Sequence, residues 1–582
     1  MKKSHLYISM IMLLGGCFSV IAQEPTLTKE ITVETDFVPV EQKATKLNKL
    51  PDVTKTTIPT KKLNYSNWSG TVDFPTAINI LEPYGYKTKY SFSKAKGYLD
   101  LGVGTQMNVV GSAGYKFIDT NERQLNAWLQ HNSTWMGKNT APLASTNPLK
   151  QKYNDNVLAV NFANKFEVGL LNLSAYLHLD KFNYYGVNDF SYFDKTDQQT
   201  ATEFGLKAGW IRPVTGENEL QFAAQLAFNH FGYSKNLNNE KNGIQENHIQ
   251  AKAFAEAIQG DFSLGINAVA DYLGYSNMLD ENGAPNASDW LGVIKVSPYI
   301  LYKIDNLDLK AGVNVDLSAN DGSKIRISPN IKANYLVQDG IGVYATINGG
   351  KRLNLLSGIH SICRYVAPSE VLGSSYSPFD AELGIKIGAF NGFYIKPFLG
   401  YGSVKDEITP FYSLDYNPNT IVITEHVSPY VFMQKYDMKG WKAGAEIGYK
   451  YNNLVDFAAN IQYAPQDEDN GYCLGLDRPE FVMNANVKVT PIKPLSITLG
   501  YELRNGRAYY NRYYVAGPPP VTTWNKTALK DVNNLTLNAY YQITPMIGAF
   551  VNANNLLNSQ WDEYLGMGAQ KTGVIAGVNL VF

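Results

Sequence analysis

The chain has 582 residues and a formal net charge of -1, with 51 Lys and Arg against 52 Asp and Glu. Such a balance offers no electrostatic footprint for nucleic acid and no polybasic patch for a membrane surface. It carries 39 Tyr and 26 Phe at a mean hydropathy of -0.23, which suits a membrane barrel with aromatic girdles in which half of each strand faces water.

Lys2 and Lys3 precede an apolar run from Leu6 to Leu14, and the stretch ends Val20-Ile21-Ala22-Gln23. This pattern predicts a secretory signal over residues 1–22, cleaved after Ala22. Leu14-Gly15-Gly16-Cys17 offers a rival reading as a lipoprotein box, although a barrel needs no lipid anchor. No later stretch approaches the ~18 apolar residues of a membrane helix. Without helices, only a closed barrel satisfies every backbone polar group in lipid.

Residues 23–95 differ in character. The segment contains Pro51, Pro59, Pro75 and Pro83, has a Thr- and Lys-rich run from Thr54 to Lys62, and shows no sustained periodicity. It reads as an extended periplasmic arm.

Residues 96–582 alternate with a period of two, the strand signal. Leu171, Leu173, Ala175, Leu177 and Leu179 oppose Asn172, Ser174, Tyr176, His178 and Asp180. Leu307 to Leu317 and Leu495 to Leu503 repeat the pattern, with Asp308, Lys310, Glu502 and Arg504 on the polar face. A charge facing hydrocarbon would cost ~2–4 kcal/mol, so this segregation points to a transmembrane antiparallel β-barrel, all-β in class. Tight connections such as Asp119–Arg123, Gln259–Asp261, Asp305–Asn306 and Thr544–Met546 alternate with long polar or aromatic stretches such as Leu353–Phe379 and Asn505–Asp531. Short turns belong to the periplasmic side and long loops outside, and the rhythm predicts about 22 strands.

Little here suggests chemistry. The histidines lack metal-ligand spacing, and a triad built on His178 beside Asp180 would also need a nearby serine. No cofactor and no catalytic or metal residue is assigned. Asp467-Glu468-Asp469-Asn470 reads as a solvated acidic loop before a calcium site. Cys363 and Cys473 both fall in long loops, where an exported setting permits a disulfide. Aromatic loops at Phe182–Tyr185, Phe190–Phe193 and Tyr509–Tyr514 suit girdle and loop packing, or else sugar stacking or a protein interface.

The chain ends in three alternating runs. Tyr541-Gln542-Ile543-Thr544-Pro545, then Phe550-Val551-Asn552-Ala553-Asn554-Asn555-Leu556-Leu557, then Asp562-Glu563-Tyr564 lead to a last strand ending at Phe582. This phrase resembles the end of a TonB-dependent receptor barrel. The resemblance implies transport or uptake across the outer membrane, assembly by the barrel-assembly machinery with Phe582 as its C-terminal signal, and outer-membrane lipid around the wall. It also implies an energy-transducing TonB-type partner, for which Glu30, Ile31, Thr32, Val33 and Glu34 are similar to the TonB box. The family places a globular plug between that box and the first barrel strand. The stretch from Thr35 to Gly97 is too short and too irregular for one, so a barrel without a plug is expected. The alternative function is an accessory or receptor barrel in an assembly, secretion or surface-binding complex, with a partner lipoprotein as the expected companion. A wide lumen must be filled by loops, by the arm or by a partner.

Overall fold

The computed structural model describes residues 95–582 apart from 139–149, 186–197, 213–219, 238–240, 279–286, 369–370, 391, 412–430, 466–477, 516–520 and 565. The signal segment, the arm, Glu30–Glu34 and the acidic Asp467–Asn470 run lie outside the described residues.

A single antiparallel sheet of 22 strands closes on itself. The first strand, Gly97–Gly104, pairs with Val109–Asp119 on one side and with the last strand, Gly573–Val581, on the other. The seam runs in register from Tyr98 opposite Val581 to Gly104 opposite Ile575. The carbonyl of Phe582 accepts from the N–H groups of Lys96 (2.6 Å) and Gly97 (2.8 Å), so the final residue fastens the closure. Its ring stacks on Tyr115 at 6.4 Å.

Alternation decides which way each side chain points. Outward positions such as Leu101, Leu173, Leu206, Leu226, Ile249, Val313, Leu383, Leu499 and Val578 form an uncovered apolar surface, with Leu226 still 64% exposed. An apolar band of this extent around a closed barrel calls for hydrocarbon rather than water. Aromatic pairs border the band at both rims: Phe166 with Trp210 and Phe262 with Tyr302 toward the short turns, Tyr272 with Trp290 and Tyr401 with Trp441 toward the loops. This is the amphipathic belt that interfacial aromatics form.

Inside, several tyrosines lie flat along the wall across a glycine of the adjacent strand. Tyr176 covers Gly205, where an added methyl would sit 2.1 Å from the ring, and Tyr394 covers Gly448 at 1.9 Å. The glycines leave room for the rings, and each ring restores the packing that its glycine lacks. The Tyr176 hydroxyl also donates to Glu203 at 2.6 Å.

At the loop end the strands run further than the alternation alone suggests. Arg123–Lys138 and Lys150–Phe166 continue their pairing through the polar stretch Ser133–Asn154, as far as Lys138 opposite Lys150. The Asn505–Asp531 loop carries its own hairpin, Ala508–Val515 with Val521–Ala528, set apart from the barrel sheet. Two other connections turn back into the lumen. One, between Ile341–Leu353 and Ser374–Phe390, contains the helix α1 (Leu356–Ile362). The other follows Ile547–Asn554 and contains the small pair Asp562–Tyr564 with Met567–Gly568.

Candidate functional site

The inward-folded segments build a core inside the barrel mouth. From the wall come Tyr153, Phe182, Phe231, Tyr233, Leu273, Leu291 and Val293. From the α1 segment come Leu356, Ile359, Cys363 and Tyr365, and from the last loop Tyr564 and Met567. Leu273 and Met567 are both 0% exposed. Removing that much apolar surface from water drives the docking, at about 25 cal/mol per Å². The Tyr564 hydroxyl donates to the Ile362 carbonyl at 2.9 Å, joining the two loops to each other. The Tyr185 hydroxyl donates to the Gly568 carbonyl at 3.3 Å.

A polar latch holds the α1 segment. The Arg364 guanidinium donates through Nε to Asp180 at 2.5 Å and through Nη2 to Asp155 at 2.8 Å, and it lies 4.2 Å from the centre of the Tyr153 ring. Burial works against the charged guanidinium, but Asp180 and Asp155 outweigh it and raise its proton affinity further. His360 reaches Asp180 through Nε2 at 3.1 Å and shares a hydrogen bond with the Tyr233 hydroxyl at 3.1 Å through Nδ1. Glu246 accepts from the Leu356 N–H, at 3.2 Å and 3.1 Å to its two oxygens. The lumen-facing His178 bonds Asp155 at 3.0 Å and lies 3.7 Å from Glu203. Carboxylates of the adjacent strands thus form a seat for one cationic loop, in which every ion has a partner, as buried charges require.

A second latch holds the last loop. Arg507, 1% exposed, donates through Nη2 to the Asp562 carbonyl at 2.6 Å and through Nη1 to the Lys530 carbonyl at 2.9 Å. Arg504 lies 3.5 Å from Glu563, which also accepts from the Trp561 indole N–H at 2.7 Å. Burial pushes the Glu563 carboxyl up to about 7, against the downward pull of Arg504 and Arg507. Gln570 completes the docking by donating to Thr134 (2.9 Å) and Gln151 (3.2 Å) on the wall.

Two tethered closures occupy the loop end of a polar tube. Among the described residues no group of three His, Cys, Asp or Glu side chains is placed to hold a metal ion. Cys363 is buried in the core, where burial pushes its thiol up to about 12. Cys473, its expected partner, lies outside the described residues. Phe182, Tyr184 and Tyr185, read in sequence as loop aromatics, pack inside: Phe182 and Tyr185 belong to the core and Tyr184 packs against it. Phe190–Phe193 lies outside the described residues.

Sequence reasoning placed Arg504 on the polar face but gave it no partner, and it did not single out Arg364, Arg507 or the inward course of residues 555–572. A signal was present: Phe231, Tyr233, Leu273, Leu291 and Val293 occupy lumen-facing positions that alternation alone would make polar.

No protein-family model and no curated protein matches the sequence. Solved structures do match the fold. A mutant ferric enterobactin receptor of Pseudomonas aeruginosa superposes with a TM-score of 0.62 at 11% identity, covering 85% of this chain and 81% of that one. A siderophore receptor of Acinetobacter baumannii gives 0.61 at 11%, with the same coverage. The ferripyoverdine receptor of the Pseudomonas aeruginosa outer membrane gives 0.59 at 14%, covering 85% and 73%. At these identities the likeness is one of fold.

Proposed function

We propose that the chain is an outer-membrane receptor barrel that takes part in uptake, with its long loops extracellular and residues 23–95 forming a periplasmic arm. The observation that carries this reading is the filled mouth. A 22-strand tube left open would breach the membrane barrier, whereas loops latched across it allow entry only when they are released. Solved structures of similar fold include receptors named for ferric enterobactin and ferripyoverdine, which favours a bulky external ligand over a small diffusing solute. Residues Glu30–Glu34 would then engage an energy-transducing TonB-type protein by adding a strand to its sheet edge, drawing affinity from backbone hydrogen bonds.

The test is Thr32→Pro, which removes a backbone N–H and locks φ without touching the barrel. Heat-modifiable gel mobility should show normal insertion, while cross-linking from position 30 should lose its capture of the energy-transducing partner and uptake should fall. If wild-type protein captures no such partner and the variant behaves normally, the coupled reading fails. The accessory reading, a surface-binding barrel in a larger complex, is the one favoured by the apolar loop core, because a dry core is costly to open on every cycle. It predicts co-isolation of a partner lipoprotein under mild detergent.

A further inference from the structure

Away from the latches, toward the short turns, the lumen wall carries an unusual set of charges. Lys310 on Leu307–Ala319 and Lys332 on Ile325–Gln338 stand directly opposite each other in register. Like charges in that relation are destabilising. Two strands on, Lys386 of Ser374–Phe390 lies 5.3 Å from the centre of the Tyr344 ring, and Lys396 of the following strand lies 5.4 Å from the same ring. Lys310 lies 4.3 Å from the Tyr299 ring.

The nearest carboxylates, Glu256 for Lys310, Asp308 for Lys332 and Glu446 for Lys386, attract these lysines from beyond ion-pair distance. Glu256 accepts from the Tyr299 hydroxyl at 2.6 Å, Glu446 pairs with Lys396 at 3.0 Å, and Glu382 pairs with Lys442 at 3.1 Å. Asp308 stands in register opposite Lys303. Among the described residues no carboxylate lies within ion-pair distance of Lys310, Lys332 or Lys386. All three lysines are half-buried and face the lumen, with Thr346 opposite Lys332 to offer a hydroxyl.

We infer that Lys310, Lys332 and Lys386 form a lumenal binding site for a small polyanion with two or more phosphate or carboxylate groups. Lys310 and Lys332 are cross-strand neighbours about 5 Å apart; Lys386 stands two strands from Lys332 and four residues nearer the short turn, opposite Gly342 where Lys332 is opposite Thr346, roughly 16 Å away at Cα. Its ammonium leans back over the Tyr344 ring and shortens that gap, so one anionic group bridges Lys310 and Lys332 while a second reaches Lys386. The aromatic faces of Tyr299 and Tyr344 steady the ammonium groups by cation–π attraction while the site is empty.

The test uses the full-length protein in detergent, titrated with pyrophosphate and separately with citrate against sodium chloride of equal ionic strength, since exposed charge effects are screened by salt. Wild type should bind at least one of the two with a rise of several degrees in its unfolding midpoint. Lys332→Gln should weaken that binding at least tenfold and, by removing the repulsion, melt higher than wild type without ligand. Lys386→Gln should weaken binding alone, and Lys303→Gln, at a residue facing Asp308, should leave it intact. A preference for pyrophosphate or for citrate assigns the phosphate or the carboxylate class. The inference is overturned if neither anion binds wild type beyond the salt control, if Lys332→Gln binds equally well, or if that correctly inserted variant melts lower than wild type.

Discussion

At the loop end the two sides of the lumen wall differ. From Lys150–Phe166 round to Ala287–Ile304, the inward positions nearest the loops carry Tyr153, Phe182, Phe231, Leu273 and Leu291, all buried. From Leu307–Ala319 onward, corresponding inward positions carry Asn314, Asp316, Ser328 and Lys351, and Asn314 bridges to Asn348 and Asn330 at 3.1 and 3.3 Å. Polar alternation persists where side chains bond one another across the wall, whereas apolar residues gather around the Asp155, Asp180 and Glu246 seat where the chain's own loops press against it. The apolar side is therefore a protein core, and the polar side is a lining.

The same chemical change on the two sides should have opposite consequences. Leu273→Asp places a carboxylate in the dry core, at a cost of several kcal/mol. It should release the loops and produce large steady currents in planar bilayers, where wild type shows little. Asn330→Asp on the polar side should leave the current at the wild-type level. A large steady current from the wild type would itself break the contrast.

Cutting the α1 latch is the next largest change. Arg364→Ala leaves Asp155 and Asp180 facing each other with only His178 and His360 beside them, at a cost approaching the roughly 3–5 kcal/mol of a broken buried ion pair. The expected readout is alkylation of Cys363, slow in folded wild type because the thiol is buried and fast in the variant, with barrel mobility on heat-modifiable gels unchanged. The same mass-spectrometric assay on unreduced protein reports whether Cys363 is bridged to Cys473; alkylation of both thiols would dispose of that bridge.

A smaller effect tests the wall itself. Gly448→Ala drives a methyl to within 1.9 Å of the Tyr394 ring, whereas Gly209→Ala meets nothing closer than a carbonyl at 3.8 Å. The first should lower the unfolding midpoint, with an overpacking cost of about 1–3 kcal/mol, and the second should scarcely move it.

The gentlest perturbation is pH. In the undocked loop Glu563 ionises near its ordinary 4.5, whereas docking raises it to about 7. Between those values the docked state holds the proton more tightly, so docking is strongest below the window and weakens as pH rises through it. The slope is at most about 1.4 kcal/mol per pH unit. Protease cleavage in residues 555–572 should accelerate from pH 5 to pH 7 and then level off, and Glu563→Gln should flatten the profile.

The sequence by itself determined the barrel. Alternation along Leu171–Asp180, Leu307–Leu317 and Leu495–Arg504 assigned inward and outward faces because strand periodicity is local, and short turns at Asp305–Asn306 and Thr544–Met546 set the strand order because a tight turn forces its neighbours to pair. Phe582 was legible as the end of the last strand, although its hold on Lys96 and Gly97 appears only on closure. Only the tertiary structure decided what fills the mouth. Arg364 and Asp180 are far apart in the chain, as are Gln570 and Thr134, and no local pattern brings such residues together. The inward apolar residues at Phe231 and Leu273 showed that something dry covers them, but which segment does so depends on how two distant loops fit each other and the wall.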